Sequence, residues 1–473
     1  MSSSRSTCAH MRFIEAAAVA LIATASQAVV AQPGDPALAR ELLRELVSIR
    51  TVHPDGDNTA AARAAARRLL EAGFDPADVK VLEPAPRKGN LVARLRGTGE
   101  LKPMLLLAHI DVVDALPESW SQGIDPWTLT ERDGYFYGRG VGDDKAAAAI
   151  FTAILARLKR EGFRPRRDII VALTADEETG THNGVQWLLK DHRALIDAEF
   201  AINEGGSGNL RAGRRIRMGV QVSEKMSLTF ELEATNPGGH SSLPRSDNAI
   251  YDLAAALDRV SRLQLPLRVG PVVRAFAGAT ADDESGALAQ ALRAVAAGNP
   301  TEEDLRRVSA NPRYNVQLRT TCVATRLEGG HANNALPQSA KAIVNCRLLP
   351  GDTEQAVRAE LQRAAGERVQ VRAMHALRPS EATDPGSPVM GAIVREAQST
   401  WPGVKVIPVM SAGATDGSRL RNAGIPVYGV LPVFMEDGDW IRMHGRDERM
   451  PVAAFEEALA YFDRLVRTLS TRP

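Results

Sequence analysis

Short, wholly apolar runs alternate with helical stretches along the first half of the chain, and three of these runs end in a burst of polar residues. Leu105-Leu106-Leu107-Ala108 leads into His109-Ile110-Asp111, Ile169–Thr174 into Asp176-Glu177-Glu178, and Phe200-Ala201-Ile202 into Asn203-Glu204. Continuous rather than alternating apolar character suits strands covered on both faces. Their alternation with helices predicts an α/β fold built on a mainly parallel sheet. In an open sheet of this kind ligands bind beyond the carboxyl ends of the strands, so the three polar clusters are expected to meet there.

The pattern extends over the whole chain. Asp35-Pro36 opens a capped amphipathic helix through Leu46-Val47, and a second helix runs from about Thr59 to a glycine stop at Gly73. Strands are expected at Leu91–Leu95, Met104–Ala108, Ile169–Leu173 and Phe200–Ile202, with a helix at Lys145–Lys159. Near residue 222 the rhythm changes. A strand at Leu228–Glu233 and a helix at Ala249–Leu263 come first. A hairpin of Gln317–Arg326 and Ala340–Leu348 around Asn333-Asn334 follows, then a helix at Thr353–Ala365 and a strand at Val369–Met374. That is a β-α-β-β-α-β order, ferredoxin-like, interrupted by a mostly helical insertion over residues 264–315. The α/β pattern resumes at Val404–Pro408 and Val427–Leu431 and closes with a helix near Ala453–Leu469. The expected organisation is a catalytic domain of residues 32–221 and 379–473, with a second domain of residues 222–378 inserted in it.

Charge narrows the function. The 58 basic and 57 acidic residues leave a net charge of +1, so no electrostatic surplus exists to drive binding to nucleic acid or an anionic membrane. Three cysteines in 473 residues cannot form a disulfide scaffold, and there is no CxxC pair. Cys322 and Cys346 fall opposite one another on the expected hairpin. A bridge and two buried free thiols both remain open, because export permits a disulfide while cross-strand geometry strains it. At the N-terminus, Arg5 and Arg12 precede an alanine-rich apolar stretch, Ala16–Ala31, ending in Val29-Val30-Ala31. This reads as a signal peptide, residues 1–31, cleaved after Ala31, which makes the expected location periplasmic or secreted and the mature chain soluble.

The polar clusters supply imidazole and carboxylate without thiolate, a donor set suited to zinc, manganese or cobalt. A fourth cluster, Gly138-Arg139-Gly140-Val141-Gly142-Asp143-Asp144-Lys145, opens the helix that begins at Lys145. Each cluster alone is ordinary: Asp-Asp-Lys can be an N-cap and Glu-Glu a solvated turn. Their conjunction at successive strand ends is not, since carboxylates so close together need a cation to coexist.

With these motifs in view the chain resembles the M20 metallopeptidases, which include carboxypeptidases, aminoacylases and succinyl-diaminopimelate desuccinylase. It is most similar to the branch near carboxypeptidase S and secreted N-acyl amino acid hydrolases. The resemblance rests on His109-Ile-Asp-Val-Val, Asp125-Pro-Trp127, Gly134 through Lys145, Thr174-Ala-Asp-Glu-Glu178 and Asn203-Glu-Gly-Gly206. Pro237-Gly-Gly-His240-Ser-Ser, Asn334-Ala-Leu-Pro337, Gly413-Ala-Thr-Asp416 and His444-Gly-Arg-Asp-Glu-Arg449 complete it, and together they span nearly the whole mature chain.

The resemblance implies a centre of two zinc ions, with cobalt or manganese as substitutes. Asp143 would bridge them, joined to Asp144 by a cis peptide. His109 and Glu204 would complete one metal, and Glu178 with His444 the other. Asp111 would fix the tautomer of His109 and Glu177 would be the general base. It further implies that the inserted domain is a lid and dimerisation domain. His240 would stabilise the oxyanion, while Arg347, Asn333 and Gly413 would hold substrate. Departures from the branch are Asn203 in place of Asp, Ala414 in place of Gly and Asp447 in place of Asn. The implied activity is exopeptidase hydrolysis of an amide bond, of carboxypeptidase or dipeptidase type, on a peptide substrate. The alternative is N-acyl amino acid hydrolysis, and a non-catalytic peptide-binding protein is the remote one. A homodimer through the lid is the expected assembly.

Overall fold

The computed structural model describes residues 35–378 and 380–472; the expected signal peptide lies outside the described residues. The first helix, Pro36–Ser48, starts where the sequence indicates. The Asp35 carboxylate accepts the amide of Leu38 at 3.1 Å, and proline takes the first helical position.

A ten-stranded sheet forms the main layer. At its centre Ile169–Thr174, Met104–His109, Phe200–Asn203 and Val427–Gly429 run parallel, side by side. Every residue of these four strands is buried, which is why they read as continuous apolar runs rather than alternating ones. The register sets His109 opposite Thr174 and Leu106 opposite Ile202. The polar residues after each strand therefore emerge at one edge of the sheet.

The helix Lys145–Arg160 is apolar almost all round and lies buried between this sheet and the closing helix Val452–Thr471. Its run of small alanines permits close approach, and Phe151 meets Phe462 edge-on with ring centres 5.0 Å apart.

The strand Arg214–Glu224, eleven residues long and part of the main sheet, is absent from the sequence reading. Three arginines in its first half hide a strand whose second half is wholly buried. It carries the main sheet to Glu224. Lys225 alone separates it from Met226–Thr235, the first strand of the second sheet, so the change of layer falls at Lys225 rather than at residue 222.

The second sheet has four strands. Thr321–Gly329, Ser339–Leu348, Met226–Thr235 and Val369–Ala373 are antiparallel neighbours in that order. With helices Ala249–Ser261 and Glu354–Ala365 on one face they give the expected β-α-β-β-α-β order. Residues 312–318 are helical, so the first hairpin strand begins at Thr321 rather than Gln317. Cys322 pairs directly with Cys346, and the two are joined by a disulfide.

The insertion is helical as expected, with helices Pro271–Thr280, Gly286–Ala297, Glu302–Ser309 and Pro312–Leu318 around an apolar cluster of their own. Its first helix packs on Lys405–Ser411, the strand paired with Arg214–Glu224 in the main sheet. Arg217 and Lys405 form ion pairs with Asp283 and Asp282, so the insertion is anchored to the main sheet. Among the described residues, no helix is long and apolar enough to cross a membrane.

Candidate metal centre and substrate cavity

Four loops at one edge of the main sheet, with a fifth from the far end of the chain, bring two histidines and four carboxylates together. Nε2 of His109 lies 2.8 Å from Oδ1 of Asp143 and 3.9 Å from Oε1 of Glu204. On the other side, Nε2 of His444 lies 3.1 Å from Oδ2 of Asp143 and 2.8 Å from Oε1 of Glu178. Each oxygen of Asp143 thus faces a different imidazole. Donor atoms of His109, Asp143 and Glu178 fall within 4.8 Å of one another, and so do those of His109, Glu177 and Glu204. The second group sets Glu177, expected as the base, as near to a possible ion as its neighbours.

The electrostatics fit a cation. Burial raises the pKa values of Glu204 and Glu177 well above the usual carboxylate range. The charge of Asp143 adds to this at Glu204, and those of Asp416, Asp111 and Glu178 at Glu177. Hydrogen bonds to Asp143 and Glu178 raise His444 to about 10. For His109, burial opposes protonation, yet hydrogen bonds to Asp111 and Asp143 outweigh it. Buried acids this close can all ionise only around positive charge, and the nitrogen and oxygen donors match zinc or a similar ion.

The supports come from nearby backbone. Nδ1 of His109 lies 3.0 Å from the carbonyl oxygen of Asp111 and 3.6 Å from its carboxylate. That carboxylate accepts the amides of Glu177 at 3.1 Å and Glu178 at 3.0 Å, so it is directed at the next loop. Asp111 thus orients His109 through its carbonyl and the Glu177-Glu178 turn through its side chain, a division that the resemblance does not specify. Asp176 precedes that turn with a φ of 57°, and Lys88, buried, donates to its carboxylate at 2.7 Å.

The loop before Asp143 is tied to residues near the C-terminus. Arg139 donates to Glu448 at 2.6 Å with both side chains buried, and Glu448 also accepts the amides of Gly140 and Gly142. Gly140 has a φ of 88°, and a Cβ there would come within 2.9 Å of Val112, so this turn requires glycine. The Asp143–Asp144 peptide is cis. Removing one member of a buried ion pair leaves the other charge uncompensated. Arg139→Met is therefore expected to lower stability by about 3–5 kcal/mol in denaturant unfolding. A loss under about 1 kcal/mol would show that this pair does not hold the loop.

Beside the metal-ligand cluster lies a cavity of about 700 Å³ whose lining includes Glu177, Glu178, Arg347 and Gly413. Asn333 and His240 do not line it. His240 sits exposed on a two-residue strand, Gly239–His240, paired with Ala335–Leu336, and its Nδ1 lies 2.7 Å from the Ser242 hydroxyl. Lys225 and Arg378 line the cavity without having been singled out in the sequence, and so does His375, which matches no ligand position of the family. None belongs to a chemical motif, and the crossing of the two sheets delivers them.

Residues 105–468 match the family described as peptidase family M20/M25/M40. The chain belongs to that family. It is 31% identical over 382 residues to the N-fatty-acyl-amino acid synthase/hydrolase PM20D1 of Xenopus tropicalis, covering 78% of this chain and 73% of the relative. The Homo sapiens protein of the same name is 30% identical over 394 residues, covering 78% and 75%. Among solved structures, an M20 family metallo-carboxypeptidase from Sulfolobus solfataricus superposes with a TM-score of 0.67 at 16% identity, covering 91% of this chain and 98% of the other. As an M20 member the protein is a hydrolase of a metal-dependent family, with the mixed α/β fold of that family's solved structures.

Proposed function

We propose that the protein is a two-zinc exopeptidase of carboxypeptidase or dipeptidase type, exported with residues 1–31 removed. The observation that carries this is Asp143 set between two imidazoles, with Glu177 and Arg347 lining one cavity. His109, Asp143 and Glu204 would hold one ion and Asp143, Glu178 and His444 the other. When bound, such ions polarise a carbonyl and lower the pKa of water. Glu177 then takes the proton of the attacking water on its carboxylate and returns it to the leaving amine. Arg347 holds the substrate carboxylate, which fixes the scissile bond beside the base, and the Gly413 amide, which donates to the Ser411 hydroxyl at 3.1 Å, would turn to substrate. The 31% identical relative favours a second reading on the same atoms, hydrolysis of an N-acyl amino acid. Assaying the purified mature protein with zinc against dipeptides and N-acyl amino acids separates the two; hydrolysis of neither class refutes both.

His240 enters the same reading as the donor to the developing oxyanion, presented by closure of the second sheet or by a second chain. The edge strand Thr321–Gly329 exposes Val323 and Leu327, which supports pairing of two chains there. Loss of one oxyanion donor costs about 10²–10³ in kcat. His240→Ala is expected to keep its metal and lose turnover on that scale. If the donor acts across a dimer, mixing His240→Ala with inactive Glu177→Gln chains restores activity, because each hybrid contains one intact site. An unimpaired His240→Ala removes the residue from the mechanism.

A further inference from the structure

Four carboxylates and four basic side chains line the cavity, but they are not all matched with one another. Glu224 is paired with Arg421 at 3.1 Å and Asp416 with Arg419 at 3.0 Å, while Glu177 and Glu178 face the proposed metals. Among the cations, Lys225 is buried and donates to the carbonyl of Arg319 at 2.7 Å. Two guanidiniums are left over. The Arg347 side chain has no hydrogen-bond or ion-pair partner among the described residues. Arg378, exposed at the rim, donates only to the neutral side-chain oxygen of Gln186 at 3.3 Å.

A second observation points the same way. Arg378 and Arg419 also line an adjoining depression of about 410 Å³, together with Lys190 and Arg193; Arg419 and Arg193 are paired with Asp416 and Asp197, and among the described residues no carboxylate lines the depression itself. Lys190 and Arg378 thus stand at the mouth of the cavity without an acidic partner among the described residues, although the whole chain is nearly neutral. Among the described residues, the apolar side chains in the cavity wall are Met226, Ala376 and Ala414.

One carboxylate on the substrate neutralises Arg347 and leaves Arg378 unanswered. Resting on the amide-hydrolase reading above, we propose that the preferred substrate is dianionic: the residue that carries the free carboxylate also has an acidic side chain, and Arg378 selects it. A guanidinium without an acidic partner, at the mouth of the cavity, attracts and orients such a group.

The test uses isosteric pairs, alanyl-glutamate against alanyl-glutamine and N-acetyl-glutamate against N-acetyl-glutamine, on the metal-loaded mature protein. The glutamate member is expected to have the higher kcat/KM by about two- to fivefold, the scale of a solvent-screened ion pair, mostly through KM. Rising ionic strength should erode that preference. Arg378→Ala brings the ratio to about one and Arg378→Glu inverts it. A wild-type ratio at or below one, or a ratio unmoved by Arg378→Glu, overturns the proposal while leaving amide hydrolysis standing. Hydrolysis of none of the four overturns the hydrolase reading and this one with it.

Discussion

Chelation of divalent metal is expected to abolish hydrolysis, and added zinc, cobalt or manganese to restore it. The reason is visible in the ligand cluster. Asp143 meets both histidines through its two oxygens, Glu204 and Glu178 stand close by, and burial raises the pKa values of Glu204 and Glu177. Without cations, burial disfavours the ionised forms of Glu177 and Glu204. Metal removal should also lower the melting temperature, since an ion that binds only the folded state stabilises it by about 4.1 kcal/mol at a thousand times its Kd. Full activity in a sample shown by elemental analysis to be metal-free would sink the assignment.

Glu177→Gln should collapse turnover by about 10²–10⁴, or roughly 3–5 kcal/mol of barrier, while bound metal stays near normal. The glutamine keeps the shape of the side chain but cannot accept the proton of water. The measurement matters because Glu177 lies with His109 and Glu204 in one potential ligand group. Glu178→Gln is the contrast: as a proposed ligand it should lose one equivalent of metal together with activity. If Glu177→Gln loses the metal and Glu178→Gln retains it, base and ligand are exchanged.

The sequence alone determined the type of the long central strands and of the longest helices, and the chain order of the second sheet's elements, while Gly184–Asp191 and Pro388–Thr400 went unread. Pro36–Ser48, Lys145–Arg160 and the buried central strands all declare themselves through local signals: a cap, a helical period or a continuous apolar run. Those signals are local because they follow from backbone geometry and from which faces are covered. The family was legible for a related reason, since its motifs are short contiguous strings around the groups that carry the chemistry. Arg214–Glu224 escaped because its arginines interrupt the apolar run, and only pairing with neighbouring strands shows its second half to be buried.

Tertiary structure decided what depends on partners remote in sequence. Asp143 meets His444 across 301 positions and Arg139 meets Glu448 across 309. No periodicity records such pairings, because they arise from the order in which strands assemble. The same holds for the insertion, whose mostly helical character could be read from the sequence while its seat on Lys405–Ser411 could not. It holds again for the cavity, where Arg347 from the second sheet and Arg378 beyond it approach Glu177 from the first. A charge is matched or unmatched only with respect to its spatial neighbours, so a nearly neutral sequence was able to conceal guanidiniums without acidic partners beside one cavity.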